Sequence, residues 1–228
     1  MAKKIKDTDY LVISARVKAM ETGLLTRERM EQILEAKSDE EAAKILQECG
    51  YPELDAADPE AMDAALSAAR EATLSDVMDG APEPRYIELF KLKYDYHNVK
   101  ALLKAEAMGT SADRMLMDMG RVPAAVLKEA VRTGELDELP PMLASAVAEA
   151  REILDTTRDP QLSDIALDRW TYADMAALAE DTNSDFLRGY VAAQVDAVNL
   201  CTAVRTLRMG KVFSSRFCSF RISLMTRL

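Results

Sequence analysis

The chain is poor in the residues that most site chemistry draws on. It has one histidine, His97, and three cysteines, Cys49, Cys201 and Cys218, with no CxxC pair and no Cys/His cluster. An odd, scattered set of thiols argues against a disulfide framework and against a zinc site. The 8 glycines form no GxxxxGK[ST] or GxGxxG run, so no phosphate cradle is visible and no cofactor is expected. No uncharged apolar run is long enough to span a bilayer, and MAKKIKDTD turns acidic where a secretory signal would turn apolar. These absences place the chain in the cytoplasm, without a transmembrane segment. Period-two alternation is also missing, and β-branched residues are sparse beside Ala, Leu, Met and Glu, so an all-α fold is predicted.

What is present is globular: 228 residues, 49% apolar and 30% charged. That is enough for one large domain or two of ordinary size. The net charge of −10 would repel a phosphate backbone, which excludes nucleic acid as a partner. The acids are unevenly spread. None follows Asp196, whereas six Lys or Arg do.

The strongest signal is a repeat. DYHNVKALLKAEAMG from Asp95 is echoed without a gap, 101 residues later, by DAVNLCTAVRTLRMG from Asp196. Asp95 matches Asp196, Asn98 matches Asn199, Met108 matches Met209 and Gly109 matches Gly210. A period of this size is too long for the common helical solenoids and points to duplicated bundles in one chain. Repeat one covers residues 1–109 and repeat two residues 110–210, with an atypical basic tail over 211–228.

Apolar spacing and cap residues predict the helices. Tyr10, Ile13, Val17, Met20 and Leu24 step by three and four along a first amphipathic helix. Thr26 caps a second, whose buried stripe is Met30, Ile33 and Leu34, and Ser38 with Glu41 forms a capping box for a third. Asp58 caps a helix with Pro59 at its first position. A long helix runs from Arg85 to Met108. In repeat two, short helices follow Ser111 and Pro123, longer ones cover Met142 to Leu154 and Ser163 to Glu180, and Asp185 caps the last.

Asp95 with Asn98, and Asp196 with Asn199, share a helix face at a spacing of three. They are candidate ligand or metal contacts, but the favoured reading is structural, with the pair hydrogen-bonding a neighbouring helix or loop. His97 has no second ligand at helical spacing and no nucleophile beside it, so it is read as a core or interface residue. The abundant carboxylates lie in turns and exposed faces, and the 13 methionines are assigned mainly to the core. No catalytic, cofactor or metal residue is identified. On the residues alone, a helical adaptor that binds partner helices in a groove stands as the alternative reading.

YLVISARVKAMETGLL, LFKLKYDYHNVKALLKAE and VAAQVDAVNLCTAVRTLR together resemble the C-type component of V/A-type rotary ATPases, the counterpart of the d component of the vacuolar enzyme. The resemblance runs through Gly210. It implies a funnel of three similar helical bundles, peripheral on the cytoplasmic face of the membrane, seated on the rotor ring and receiving the central shaft built from D- and F-type subunits. Such a component has no active site and transmits rotation in ATP-driven or ATP-producing proton or sodium transport. Only two of the three repeats are present here. KVFSSRFCSFRISLMTRL does not read as the start of a third, which suggests truncation or a frame shift near Lys211 and predicts an exposed apolar interface prone to self-association.

Overall fold

The computed structural model describes residues 6–55 and 58–210. The tail at 211–228, with Cys218, lies outside the described residues. Those described hold nine α-helices and no strand, so the all-α expectation holds. By its contacts the chain divides into two compact units, Met1–Ile87 and Glu88–Leu228.

The first unit contains α1 (Leu11–Glu21), α2 (Arg27–Leu34), α3 (Asp39–Glu48) and α4 (Pro59–Gly80). Its starts are set by caps. Thr26 Oγ1 accepts from Arg29 N, Ser38 Oγ from Glu41 N, and Asp58 Oδ1 from both Glu60 N and Ala61 N ahead of Pro59. Each satisfies donors that the opening turn leaves without a helical partner. Only half of the expected capping box forms, because the Glu41 carboxylate accepts from Lys37 N, one residue before the cap. Ile13 is buried against α4, where its Cδ1 sits 2.7 Å from the point at which a Gly80 Cβ would stand.

Two expected stripes are corrected here. Leu24 is exposed because α1 ends at Glu21, before the stripe reaches it. Met30 and Leu34 are exposed as well: α2 meets α3 on its Ile33 side, and the row one turn apart from Met30 to Leu34 is left in solvent.

The second unit takes α5 (Arg85–Met108) from Glu88 onward, then α6 (Ala124–Thr133), α7 (Pro141–Thr157), α8 (Pro160–Asp181) and α9 (Asp185–Arg208). Helix α5 has the predicted limits and is buried on several sides, through Leu89, Leu92, Tyr96, Val99, Leu102 and Leu103. Ala146 and Ala150 of α7 and Ala166 of α8 are all buried, and these small side chains let the two backbones approach. Ser163 Oγ donates to Ala150 O at 3.0 Å across that contact. Gly134 ends α6 at φ 79°, a left-handed cap that favours glycine, its N–H bonding Ala130 O.

The helix expected after Ser111 is a single 3-10 turn, Asp113–Met115. The loop beyond it spends its backbone groups on α5 instead of on itself, as described below. Asp185 is not the cap of α9. Ser184 Oγ accepts from Leu187 N, and Asp185 occupies the first turn, where a negative charge suits the helix dipole. The methionines divide: Met119 and Met175 are core, whereas Met30, Met108, Met115 and Met209 are exposed.

Candidate functional site

The repeat-motif residues of α5 and the loop that follows it form the most highly organised polar cluster of the second unit. Asp95 and Asn98 are fully buried in an otherwise apolar helix, so their polar atoms need partners. Asn98 Nδ2 donates to Met117 O at 2.8 Å while Met117 N donates to Asn98 Oδ1 at 2.9 Å, a two-bond pairing in which the side-chain amide acts as a strand of one residue. Asp95 Oδ1 accepts from Val122 N at 3.1 Å and Asp95 Oδ2 from Arg121 Nε at 3.0 Å.

Arg121 then bridges to α8. Its guanidinium donates to Asp174 Oδ2 at 2.7 Å, and Tyr96 OH donates to the same oxygen at 3.1 Å. One cation thus lies between two carboxylates, all three nearly enclosed, with formal charge −1 for the group. Glycine is required at position 120, since a Cβ there would overlap Asp95 Oδ1. Further along, Lys100 Nζ meets Asp168 Oδ1 at 2.5 Å and Lys104 Nζ meets Asp164 Oδ2 at 2.6 Å. Rising numbers on α5 pair with falling numbers on α8, so the two helices run antiparallel along a polar seam.

Burial pushes the Asp95 carboxyl above the ordinary aspartate range, even though the Val122 amide and the Arg121 guanidinium pull the other way. Burial likewise carries the Tyr96 hydroxyl far above its usual value, helped by the adjacent Asp174 carboxylate, so it remains a donor. For Arg121, burial opposes the charge but the bond to Asp174 and the two carboxylates outweigh it and raise its pKa. A carboxyl whose folded pKa is raised contributes stability that is complete below the unfolded value, about 4, and is lost as pH rises through the folded value. The stability difference between the natural chain and Asp95→Asn should therefore shrink, or change sign, from pH 4 to pH 7. Urea unfolding of both at several pH values measures it, and a difference that grows with pH would contradict this assignment.

Chemically the cluster is a clamp. Arg121 fills the space between Asp95 and Asp174 where a cation would otherwise sit, and among the described residues no three His, Cys, Asp or Glu side chains stand together as a metal site. His97 is exposed, not in the core, with Nε2 3.0 Å from Met115 O, so it too holds the loop. The second pair is differently placed. Asn199 is buried, while Asp196 is half-buried with Oδ1 enclosed and without a hydrogen-bond partner. The structure does not bring the two pairs into one cluster. Sequence reading missed Gly120, Arg121, Asp174 and Tyr96. The available signal was weak, a Gly-Arg dipeptide in the loop that follows α5, which supplies a counter-charge once Asp95 is recognised as enclosed.

Comparison with known proteins places the chain in a family. The chain is 27% identical over 86% of its length to the C-type component of the V-type sodium ATPase of Enterococcus hirae, covering 60% of that protein. It is 23% identical to the corresponding component of the A-type ATP synthase of Methanocaldococcus jannaschii, over 84% of this chain and 52% of the relative. With the corresponding component of the V-type ATP synthase of Thermus thermophilus it shares 30% identity over 54% of its length and 40% of the relative. The chain thus spans roughly half the length of the relatives it matches. Residues 13–226, which include both motif helices, match the family described as ATP synthase (C/AC39) subunit, and the chain belongs to that family.

Proposed function

We propose that the chain acts as a non-catalytic rotor component of a V/A-type ATP synthase or ATPase, joining the central shaft to the membrane rotor ring. The family match over residues 13–226 carries this reading. Its partners are then D- and F-type shaft subunits and the ring protein, and its place is peripheral, on the cytoplasmic face. No helix among the described residues is long and apolar enough to cross a membrane. The sequence repeat that ends near Gly109 and again near Gly210 belongs to the same proposal, each end closing one copy of the repeated motif helix.

The Asp95 clamp supports a mechanical role. A part that transmits torque must resist shear, and loop, α5 and α8 are tied by directional, charge-assisted bonds. The polar side chains of the clamp are spent on each other and on the loop backbone rather than on a substrate.

Affinity purification of the chain from gently solubilised membranes, followed by mass spectrometry, tests the assignment. Shaft and ring proteins should accompany it. Recovery as a soluble chain without either would count against the rotor reading.

A further inference from the structure

Helix α2 carries an apolar row that none of the described residues covers. Met30 is 49% exposed and Leu34 85%, one turn apart and outside the contact with α3. Glu28, Glu31 and Glu35, spaced by three and four, form a second row directly beside it. Glu31 is engaged by Arg27 at 2.9 Å, while the Glu28 and Glu35 carboxylates meet no cation among the described residues. Arg29, the other cation of the helix, is turned toward Glu48 of α3. The surroundings are acidic well beyond α2. From Glu28 to Asp63 twelve carboxylates stand against three cations, so this segment carries nine of the ten excess negative charges of the chain.

We propose that this face of α2 docks a basic amphipathic helix of a partner protein. Apolar side chains at i, i+4 and i+7 of that helix would cover Met30 and Leu34, and Lys or Arg beside them would meet Glu28, Glu31 and Glu35. The unbranched Met30 side chain can adapt to the shape of the arriving residue. Charge argues against the other occupants. An anionic bilayer or a nucleic acid would be repelled by the carboxylate row. A second copy docked by the same face about a two-fold axis would bring like charges together. Helix α2 has only eight residues, so the contact spans about two turns and belongs to the weak, transient class.

Docking on α2 is independent of the rotor assignment and is tested on the purified 228-residue chain. The probe is a fluorescein-labelled helical peptide of roughly 18 residues, with leucine along one face and lysine over the rest, followed by anisotropy. A control peptide has the same composition with its leucines spread around the helix. Saturable binding is expected, about tenfold or more tighter for the amphipathic peptide than for the control. It should weaken about tenfold or more when Met30→Ser is combined with Leu34→Ser, and again when Glu28→Gln is combined with Glu35→Gln. All four positions are exposed, so both double variants should fold, which circular dichroism checks. Equal affinity for the two peptides would reduce the effect to bulk charge attraction and defeat the proposal. So would a double variant of either kind that leaves binding unchanged, or the absence of saturable binding. Sedimentation adds a separate check: a dimer of the free chain that the Met30 and Leu34 variant dissolves would assign the row to a second copy and overturn the proposal as well.

Discussion

Arg121→Ala should destabilise the second unit by about 3–5 kcal/mol at neutral pH, the cost typical of removing one partner from a buried ion pair. The deletion leaves Asp95 and Asp174 facing one emptied space with no cation, both nearly excluded from water. Neither can easily recruit solvent, and each repels the other. The effect should be strongly pH-dependent, with a definite sign. Burial already raises the Asp95 carboxyl against the pull of Arg121, so without the guanidinium it takes up a proton more readily in the folded than in the unfolded chain, and the variant regains stability as pH falls toward about 4. Urea unfolding of Arg121→Ala at pH 7 and pH 4.5 should give a markedly smaller loss at the lower pH. Equal losses would mean that Arg121 contributes packing by its stem and little charge. A double variant, Arg121→Met with Asp95→Asn, separates these contributions, since it removes charge of both signs and keeps most of the volume. It should recover part of the loss, because a buried pair replaced on both sides costs less than a pair broken on one.

The helices were legible because their signals are local. Thr26, Ser38 and Asp58 each cap the helix they were expected to cap, and the ends of α5 agree with a pattern of apolar residues on several faces. Asp95 and Asn98 were also legible as buried structural polar residues, since a carboxylate and an amide amid Leu and Val must find partners. Less visible was which residues answer them. Arg121 is 26 positions from Asp95 and Asp174 a further 53 from Arg121, separations that no periodicity encodes. The loop over 112–122 was misread as a helix for the same reason, because its amides at Met117 and Val122 are committed to side chains of α5. Exposure was misjudged where an apolar row outnumbers the neighbours available to cover it, as at Met30 and Leu34. Periodicity shows that a helix has an apolar face. It does not show what that face meets.

Gly120→Val should cost about 3 kcal/mol or more, combining overpacking with the loss of hydrogen bonds to a buried carboxylate. The atom that a new Cβ would strike is Asp95 Oδ1, which is held between Val122 N and the rest of α5 and cannot swing aside as a flexible chain end would. Either the loop lifts, which breaks the Val122 and Arg121 bonds together, or Asp95 turns, which leaves a buried carboxylate unpaired. Gly120→Ala should follow the same course, since the overlap is with Cβ itself and not with the branches beyond it. The mechanism is checked by a cycle. In an Asp95→Ala background the struck oxygen is gone, so adding Gly120→Ala should cost much less than it does alone, a coupling of about 1 kcal/mol or more. Gly189 supplies a control of opposite sign. A Cβ there meets nothing within 4 Å inside α9, so Gly189→Ala should stabilise by roughly 0.5–1 kcal/mol through helix propensity alone. If Gly120→Ala behaved like Gly189→Ala, the close approach of loop to carboxylate at Asp95 would be wrong.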